Sequence, residues 1–344
     1  MYRGLNDILN GGYIGNISKT KMTQIKYLQV VQKVTPSMKH CLEEIPRRGG
    51  MYNWIFLFKG SMMPISEVTP KILEDYDVIQ INLAPVDQLL IKRLRNMLPK
   101  SSSTLLIGNN DYTCEAWETW RQHPLQYLQA QDELDAVFGT EKHQVTHLRD
   151  DAYVIPHPHW ISMLKHIGND DLETDRYKVG AVYHWWENKA YSASLMLEKL
   201  RRKYKLVTRL YGYTPKNDPL VGWQKVMWDN IMPLMEYPKF QRSLMTNRFI
   251  IDNCSYHTYG RTSVDTAALG IPTIGSDRIF SMKHCFPNMC CDPFDLKTLS
   301  SIAERVLKDG RWLDEQMSIA SDRCEYFNYK NSKSRYMEMV EEVR

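Results

Sequence analysis

"HTYGRTSVDTAALGIPTIG", residues 257–275, places a short run of small residues between two glycine-containing loops. Thr262 is a natural N-cap for a helix over 263–269, and Gly270 is the kind of residue that ends one. Asp265 stands three residues after Thr262, which is the spacing of a capping box. The stretch therefore predicts one buried helix whose only charges lie near its first turn.

The same geometry suits an anionic ligand. A helix that follows a loop containing Gly260 offers the free amides at 262–264 and the positive end of its dipole to a diphosphate. A carboxylate at Asp265 can reach the vicinal hydroxyls of a sugar, and Arg261 adds a cation beside the phosphate position. Two simpler interpretations stay open, a capping role for Asp265 and a solvated loop position for Arg261.

Length and composition favour a soluble protein of two domains. The chain has 344 residues, of which 43% are hydrophobic and 24% charged, with a net charge of +4. That mild excess permits a polyanionic partner without requiring one. Seven cysteines and no apolar run long enough for a membrane span predict reduced thiols in the cytoplasm.

Short apolar runs alternate with helical patterns along the chain, which predicts α/β folding with parallel sheets. A polar linker over 167–178 separates two such halves, so we expect two Rossmann-like domains facing a cleft. The predicted strands lie at 53–60, 76–84, 103–111, 135–140, 152–158, 178–185, 205–212, 248–253 and 271–277. The predicted helices lie at 19–34, 86–98, 114–131, 189–203, near 222–236 and at 262–269.

The run 257–272 resembles the GT-B glycosyltransferases, most closely the retaining group with the Glu-x7-Glu signature. Gly260, Asp265 and the Gly-x-Pro at 270–272 fall on that pattern. The resemblance implies that Asp265 binds the nucleotide ribose. His257 stands where the family has the glutamate that touches the donor sugar, and a neutral imidazole supplies a hydrogen bond but no negative charge.

A weaker resemblance extends the expected donor site and sets the domain boundaries. In such families a lysine after the first strand of the second domain grips the diphosphate, which here points to Lys189 with His184 nearby. We expect an acceptor-side domain over 1–165, a donor domain over 166–325, and a helix over 326–344 that returns to the first domain. The residues expected to bind the donor are His184, Lys189, Gly260, Arg261, Thr262, Ser263 and Asp265.

The sequence contains less evidence for the acceptor site than for the donor site. Asp111 follows a predicted strand and resembles the His-Asp region of phage DNA α-glucosyltransferases, so it is a candidate base toward an acceptor hydroxyl or the N-cap of a following helix. Asp111 and His257 are the candidate catalytic residues. The glycine-rich run at 11–16 is typical of a phosphate loop but lacks a clear strand before it. His157 and His159 flank prolines, which favours a hinge over a cleft lining.

The function predicted from these features is transfer of a sugar from a nucleotide-sugar donor to a hydroxyl acceptor. A saccharide or other small hydroxyl is the first expected acceptor and a modified base in DNA the second, with retention implied by the resemblance. We expect no cofactor and no essential metal, and we discard the Asp-x-Asp at 75–77 because it precedes its strand. A sugar-nucleotide epimerase and a non-catalytic binding protein stay open as alternatives, and the absence of Gly-x-Gly-x-x-Gly after any strand disfavours a dehydrogenase.

Overall fold

The computed structural model describes residues 25–31, 53–83, 88–110, 132–145, 149–169, 175–182, 191–211, 228–233, 235 and 237–344. These residues form two six-stranded sheets in which every neighbouring pair of strands is parallel. Helices connect the strands, so the chain has the α/β class expected from its alternating pattern.

The element bounds are as follows. The strands are β1 (Tyr27–Val31), β2 (Ser61–Pro64), β3 (Val78–Leu83), β4 (Leu105–Asn110), β5 (Ala136–Gly139), β6 (Tyr153–Val154), β7 (Asp175–Val182), β8 (Val207–Tyr211), β9 (Asn230–Ile231), β10 (Asn247–Asp252), β11 (Thr273–Ser276) and β12 (Cys290–Cys291). The helices are α1 (Asn53–Phe58), α2 (Pro70–Leu73), α3 (Gln88–Met97), α4 (Lys142–Val145), α5 (Ile161–Gly168), α6 (Tyr191–Tyr204), α7 (Tyr237–Met245), α8 (Arg261–Leu269), α9 (Phe280–Cys285), α10 (Leu296–Lys308), α11 (Gly310–Arg323) and α12 (Tyr329–Val343).

The first sheet has the order β2-β1-β3-β4-β5-β6. Its strand order reverses between β1 and β3, because β2 lies on one side of β1 whereas β3 to β6 follow one another on the other side. Ligands of open α/β sheets bind outside the carboxyl ends of the strands at such a reversal. All five side chains of β1 are buried, as expected for a strand with neighbours on both edges.

Two predictions in the first domain were wrong. The strand expected at 53–60 is the helix α1, whose Trp54 and Phe58 rings stack with their centroids 6.3 Å apart. The helix expected over 19–34 was wrong where the structure describes it, at 25–31, because residues 27–31 form the strand β1. A short apolar run fits a buried helix or a buried strand equally well, so only its packing partners decide.

The second sheet has the order β12-β11-β10-β7-β8-β9. Counted from β7, this is 6-5-4-1-2-3, the strand order of a dinucleotide-binding domain. The reversal lies between β7 and β10, and their carboxyl ends stand side by side there. The predicted strands at 205–212, 248–253 and 271–277 are confirmed as β8, β10 and β11.

Two predictions near the second sheet need correction. The linker expected over 167–178 contains the end of α5 and the first four residues of β7. A helix was expected near 222–236, but the part of this stretch that the structure describes contains the short strand β9. β9 is exposed at both residues and pairs with β8, so the sheet edge rather than local periodicity fixes it.

The chain crosses between the sheets twice. The first crossing, residues 155–160, leads from β6 into α5, whose Ile161 and Leu164 pack in the second core. The second crossing leads from the turn Cys324–Phe327 into α12, which packs on the first sheet. The two crossings are hydrogen-bonded to each other, since His159 N donates to Phe327 O and Tyr329 N to His159 O.

α12 returns to the core that contains β1 and α1. Its Tyr336 is fully buried, with its ring centroid 4.9 Å from those of Trp54 and Phe58. The Tyr336 hydroxyl donates to Gln80 Oε1 on β3 at 3.1 Å. The exact domain boundaries at 165 and 325 stay predictions. Among the described residues, no helix combines the length and apolarity that a membrane crossing needs.

Candidate donor site at the carboxyl edge of the second sheet

α8 begins at the carboxyl edge of the second sheet, and eight residues separate its first residue from the end of β10. Gly260 is its N-cap residue, with φ of 77°, a left-handed conformation that favours glycine. A Cβ at this position would lie 2.0 Å from Ile279 Cγ2. Gly260 has no side chain with which to cap the helix, so the first amides of α8 lack a capping partner, although Thr262 and Ser263 are themselves buried.

The predicted N-cap at Thr262 was wrong, and the capping-box alternative for Asp265 fails with it. Thr262 lies in the first turn of α8 rather than before it, because the helix begins at Arg261. Ser263 is fully buried, and its Oγ donates to Asp252 Oδ2 at 2.8 Å. Since that hydroxyl already bonds the end of β10, any contact of Ser263 with a ligand falls to its backbone amide.

Asp265 is the centre of a buried polar cluster. Its Oδ2 accepts a hydrogen bond from Gln241 Nε2 at 2.9 Å and lies 3.5 Å from Arg261 Nε. Its Oδ1 lies 3.4 Å from His159 Nδ1. Burial opposes ionisation, but Arg261, followed by His159 and Tyr237, holds the pKa of Asp265 below its ordinary value. Asp265 is therefore a buried, ionised carboxylate whose Oδ2 is hydrogen-bonded to Gln241 and whose Oδ1 faces His159 without a regular hydrogen bond.

Arg261 is held on two sides and open on another. Its guanidinium carbon lies 4.6 Å from the centre of the Tyr237 ring, and its Nε faces Asp265. Burial works against the charge, yet Tyr237 and Asp265 keep the pKa of Arg261 raised. A quarter of the side chain is exposed, and Asp265 is its one acidic partner among the residues that the structure describes. This arrangement leaves a cation at the positive end of α8.

His159 lies in the first crossing and contacts the polar cluster around Asp265. It is buried, as is His157 two residues earlier. The two side chains have different partners, since Trp54 Nε1 donates to His157 Nδ1 at 3.2 Å while His159 faces Asp265. Burial lowers the pKa of His159 despite the neighbouring carboxylate, so its imidazole is neutral. A neutral imidazole beside a carboxylate carries its proton on the facing nitrogen, here Nδ1.

His257 meets a residue of the first domain. Its ring stacks on that of His143, with centroids 3.9 Å apart and planes 22° from parallel. His143 lies in α4, which follows the carboxyl end of β5, and His257 lies in the loop that follows β10. The candidate catalytic histidine thus lies where loops from the carboxyl edges of both sheets touch.

Three predicted site residues lie outside the described part of the chain. Asp111 follows Asn110, the last residue of β4, whose Nδ2 donates to Gln144 O at 2.6 Å. His184 and Lys189 follow β7 in the sequence, and β7 is the strand next to β10 at the reversal. Their roles stay predictions.

The sequence did not reveal which residues contact His257 and Asp265, its two main candidates. His143 stands in a short polar helix whose sequence carries no signal of a ligand site. His159 did carry one, because a histidine directly after a proline at the end of a strand is unusual, but the pattern favoured a hinge. The structure shows that the histidine lies in a crossing between domains and contacts Asp265 there.

No protein-family model and no curated protein sequence matches the chain. Solved structures do. An alpha-glucosyltransferase in complex with UDP and a 13-mer DNA has a TM-score of 0.66 at 10% identity, over 92% of this chain and 100% of that one. An alpha,alpha-trehalose 6-phosphate synthase from Burkholderia multivorans has a TM-score of 0.63 at 8% identity, over 94% and 99%.

TarM has a TM-score of 0.63 at 12% identity, over 78% of this chain, which spans only 56% of the length of TarM. Identities this low establish a common fold and leave the chemistry to the site. Two parallel Rossmann-like sheets with these neighbours confirm the predicted class and architecture. The chain has the GT-B fold.

Proposed function

We propose that the protein transfers a sugar, hexosyl or pentosyl, from a nucleotide-sugar donor to a hydroxyl acceptor. The observation that carries the proposal is the position of Arg261, a cation at the uncapped start of α8. That start lies at the carboxyl edge of the second sheet, in the loop that leaves β10 next to the strand reversal. A helix N-terminus with an adjacent arginine is suited to a diphosphate.

Each candidate residue has a role in this proposal. The amides at the start of α8, Arg261 and Lys189 stabilise the diphosphate as it leaves, which is the main charge that develops in sugar transfer. His184 lies five residues before Lys189 in the chain and is assigned to the same diphosphate site. His257 contacts the transferred sugar, and Asp111 accepts a proton from the acceptor hydroxyl. Positioning of the two substrates supplies much of the remaining rate.

The proposal includes no essential metal, because side chains and the helix dipole supply the positive charge at the diphosphate. It also includes retention of configuration at the anomeric carbon, which the likeness of 257–272 to retaining enzymes supports.

The stereochemistry of transfer is determined from the anomeric proton signals of the product. The metal requirement is read from the transfer rate in excess EDTA, which we expect to equal the untreated rate.

The first prediction concerns the donor. Among a panel of nucleotide sugars with different bases and hexoses or pentoses, we expect at least one to raise the melting temperature, since a ligand that binds only the folded state stabilises it. That donor is then incubated with and without an acceptor mixture, and products are identified by mass spectrometry. Transfer supports the proposal. Consumption to an isomeric sugar without acceptor indicates an epimerase, and binding without any turnover indicates a non-catalytic protein.

The acceptor we favour is a saccharide or another small hydroxyl compound, with a modified DNA base second. The densest basic cluster in the sequence, 198–205, supports this order. Its Arg201, Arg202 and Lys203 each lie 2.7 Å from a carboxylate oxygen of Asp229, Glu198 and Glu304, respectively. Cations that are already paired with acids offer little to a phosphate backbone.

The DNA acceptor has a direct test. The second prediction is that duplex DNA binds weakly or not at all at 50 mM salt, measured by fluorescence anisotropy with and without the donor. A protein that neutralises several phosphates loses affinity steeply as salt rises, by about 10³-fold or more between 50 and 200 mM for six to ten contacts. Tight binding with that salt dependence would reverse the order of acceptors and make DNA the first choice.

A further inference from the structure

The contacts around Asp265 form a chain that leads from the first crossing to the start of α8. His159 Nδ1 lies 3.4 Å from Asp265 Oδ1, and Arg261 Nε lies 3.5 Å from Asp265 Oδ2. The side chains of His159 and Asp265 are 2% and 3% exposed. Contacts sequestered in this way are little screened by water. A change at His159 is therefore transmitted to Arg261 through the carboxylate between them.

The carboxylate is divided between its partners. Oδ1 faces His159, while Oδ2 accepts from Gln241 and faces Arg261. The Asp265 side chain is only 3% exposed, so a ribose hydroxyl can reach it only if a neighbouring side chain moves aside. Removing a partner from a buried polar group is costly, so this carboxylate is better suited to hold protein groups than to take a ligand.

The orientation of the Asp265 carboxylate affects how many donors Arg261 has for a ligand. Carboxylates readily take both edges of a guanidinium in a two-pronged pair. A carboxylate that rotated to do so here would compete with an incoming phosphate for the same donors. With Oδ1 turned toward His159, Asp265 presents Oδ2 to Arg261, and the Tyr237 ring supports the guanidinium from its face. Arg261 has five N–H donors, so donors remain for an anion beside its interactions with Asp265 and Tyr237.

We propose that His159 and Asp265 are positioning residues that orient Arg261 for a diphosphate, with His159 acting from the crossing between domains. The proposal rests on the proposed function, because it assumes that Arg261 meets the diphosphate. It assigns Asp265 a role different from the ribose contact that the family resemblance implies.

The test uses inorganic pyrophosphate, which has no ribose, and titration calorimetry of the full chain at low salt. The third prediction is that His159→Phe weakens pyrophosphate binding about three- to tenfold, the size expected when one long side chain must be ordered on binding. The phenyl ring keeps the packing against Tyr259 and Phe327, whose centroids lie 5.8 and 6.4 Å away. His159→Asn, whose side-chain amide donates from near the Nδ1 position, is expected to keep affinity within about twofold.

His157→Phe is the matched control. His157 lies on the same crossing and is equally buried, but its ring faces Trp54. Its replacement is expected to lower the melting temperature and leave pyrophosphate affinity unchanged. Should His159→Phe fail to fold, His159→Leu serves in the same comparison. Equal affinity losses in the His157 and His159 variants would show a general packing defect and overturn the proposal.

A double-mutant cycle separates this proposal from the proposed function. Arg261→Gln alone must weaken pyrophosphate binding, and adding His159→Phe to it must cause no further loss, since His159 acts through Arg261. An unchanged affinity in Arg261→Gln, or no binding by the unaltered protein, overturns the diphosphate site and the positioning role together. A loss in Arg261→Gln without one in His159→Phe overturns the positioning role alone.

A second probe addresses the ribose. Asp265→Asn is compared with the unaltered protein for the nucleoside whose diphosphate gives the largest thermal shift among UDP, GDP, ADP, CDP and TDP. The positioning role predicts equal nucleoside affinities. A roughly tenfold loss, the size of a charge-assisted hydrogen bond to a hydroxyl, would show that Asp265 contacts ribose directly and overturn the proposal for this residue.

Discussion

Replacing Arg261 with glutamine is expected to lower kcat/KM for the donor roughly ten- to hundredfold. The variant removes a cation from the uncapped start of α8, where the leaving diphosphate is proposed to develop its charge. A hydrogen bond to a charged group contributes about 1.5–3 kcal/mol, and each 1.36 kcal/mol is about a factor of ten. The measurement is the initial rate of donor consumption at subsaturating concentration, with the donor that the thermal-shift panel selects.

Arg305 offers a close control for this variant. Like Arg261, it pairs with an aspartate four residues later, and its guanidinium lies over an aromatic ring, 4.3 Å from the centre of Trp312. It lies in α10, away from the start of α8. Arg305→Gln is expected to leave kcat/KM unchanged. If both variants lose only stability and neither loses activity, Arg261 serves Asp265 as a structural partner and the diphosphate assignment is wrong.

Gly260→Ala is expected to lower the free energy of unfolding by about 2–5 kcal/mol. Two effects combine at this position. An L-residue with a φ of 77° costs about 1–2 kcal/mol, and forcing a methyl group into occupied space costs about 1–3 kcal/mol more. The added Cβ would meet Ile279 Cγ2 at 2.0 Å and Ser281 Oγ at 2.9 Å, and Ser281 Oγ donates to the Gly260 carbonyl. Urea unfolding followed by circular dichroism measures the change.

Two other glycines separate these effects. Gly270 has a φ of 74°, but nothing lies within 4 Å of an added Cβ, so Gly270→Ala is expected to cost about 1–2 kcal/mol from the backbone alone. Gly310 has an ordinary φ and the same open surroundings, so Gly310→Ala is expected to stay within about 0.5 kcal/mol. A cost for Gly260→Ala no greater than that for Gly270→Ala would mean that Ile279 moves aside and that the start of α8 is more adaptable than the structure indicates.

The strands of the second domain were predictable because each carries its own evidence. β10 and β11 are apolar runs that end at polar residues or glycine, and such runs must be buried to gain stability. The C-terminal end of α8 was predictable at Gly270 for a similar local reason. Its N-terminal end was predicted one or two residues late, because Thr262 is a better cap by residue type than Gly260. The left-handed φ of Gly260 decided the outcome, and residue type does not reveal it.

The first domain shows the opposite case. The sequence at 53–58 is apolar enough for a strand, yet it forms α1 because Trp54 and Phe58, four residues apart, both pack against Tyr336. That partner lies more than 270 residues away in the chain. Periodicity within a window of ten residues contains no information about such a neighbour, so the choice between helix and strand belongs to the tertiary structure.

By itself, the sequence determined the α/β class, the positions of the strands β8, β10 and β11 and the motif at 257–272, because these depend on local burial and on glycine and proline chemistry. The tertiary structure decided which groups meet around that motif. It joined His159 to Asp265 and His143 to His257, pairs separated by more than 100 residues. Two parallel sheets packed through their crossings bring such residues together, and the resulting contacts decide whether a carboxylate binds a ligand or holds an arginine in place.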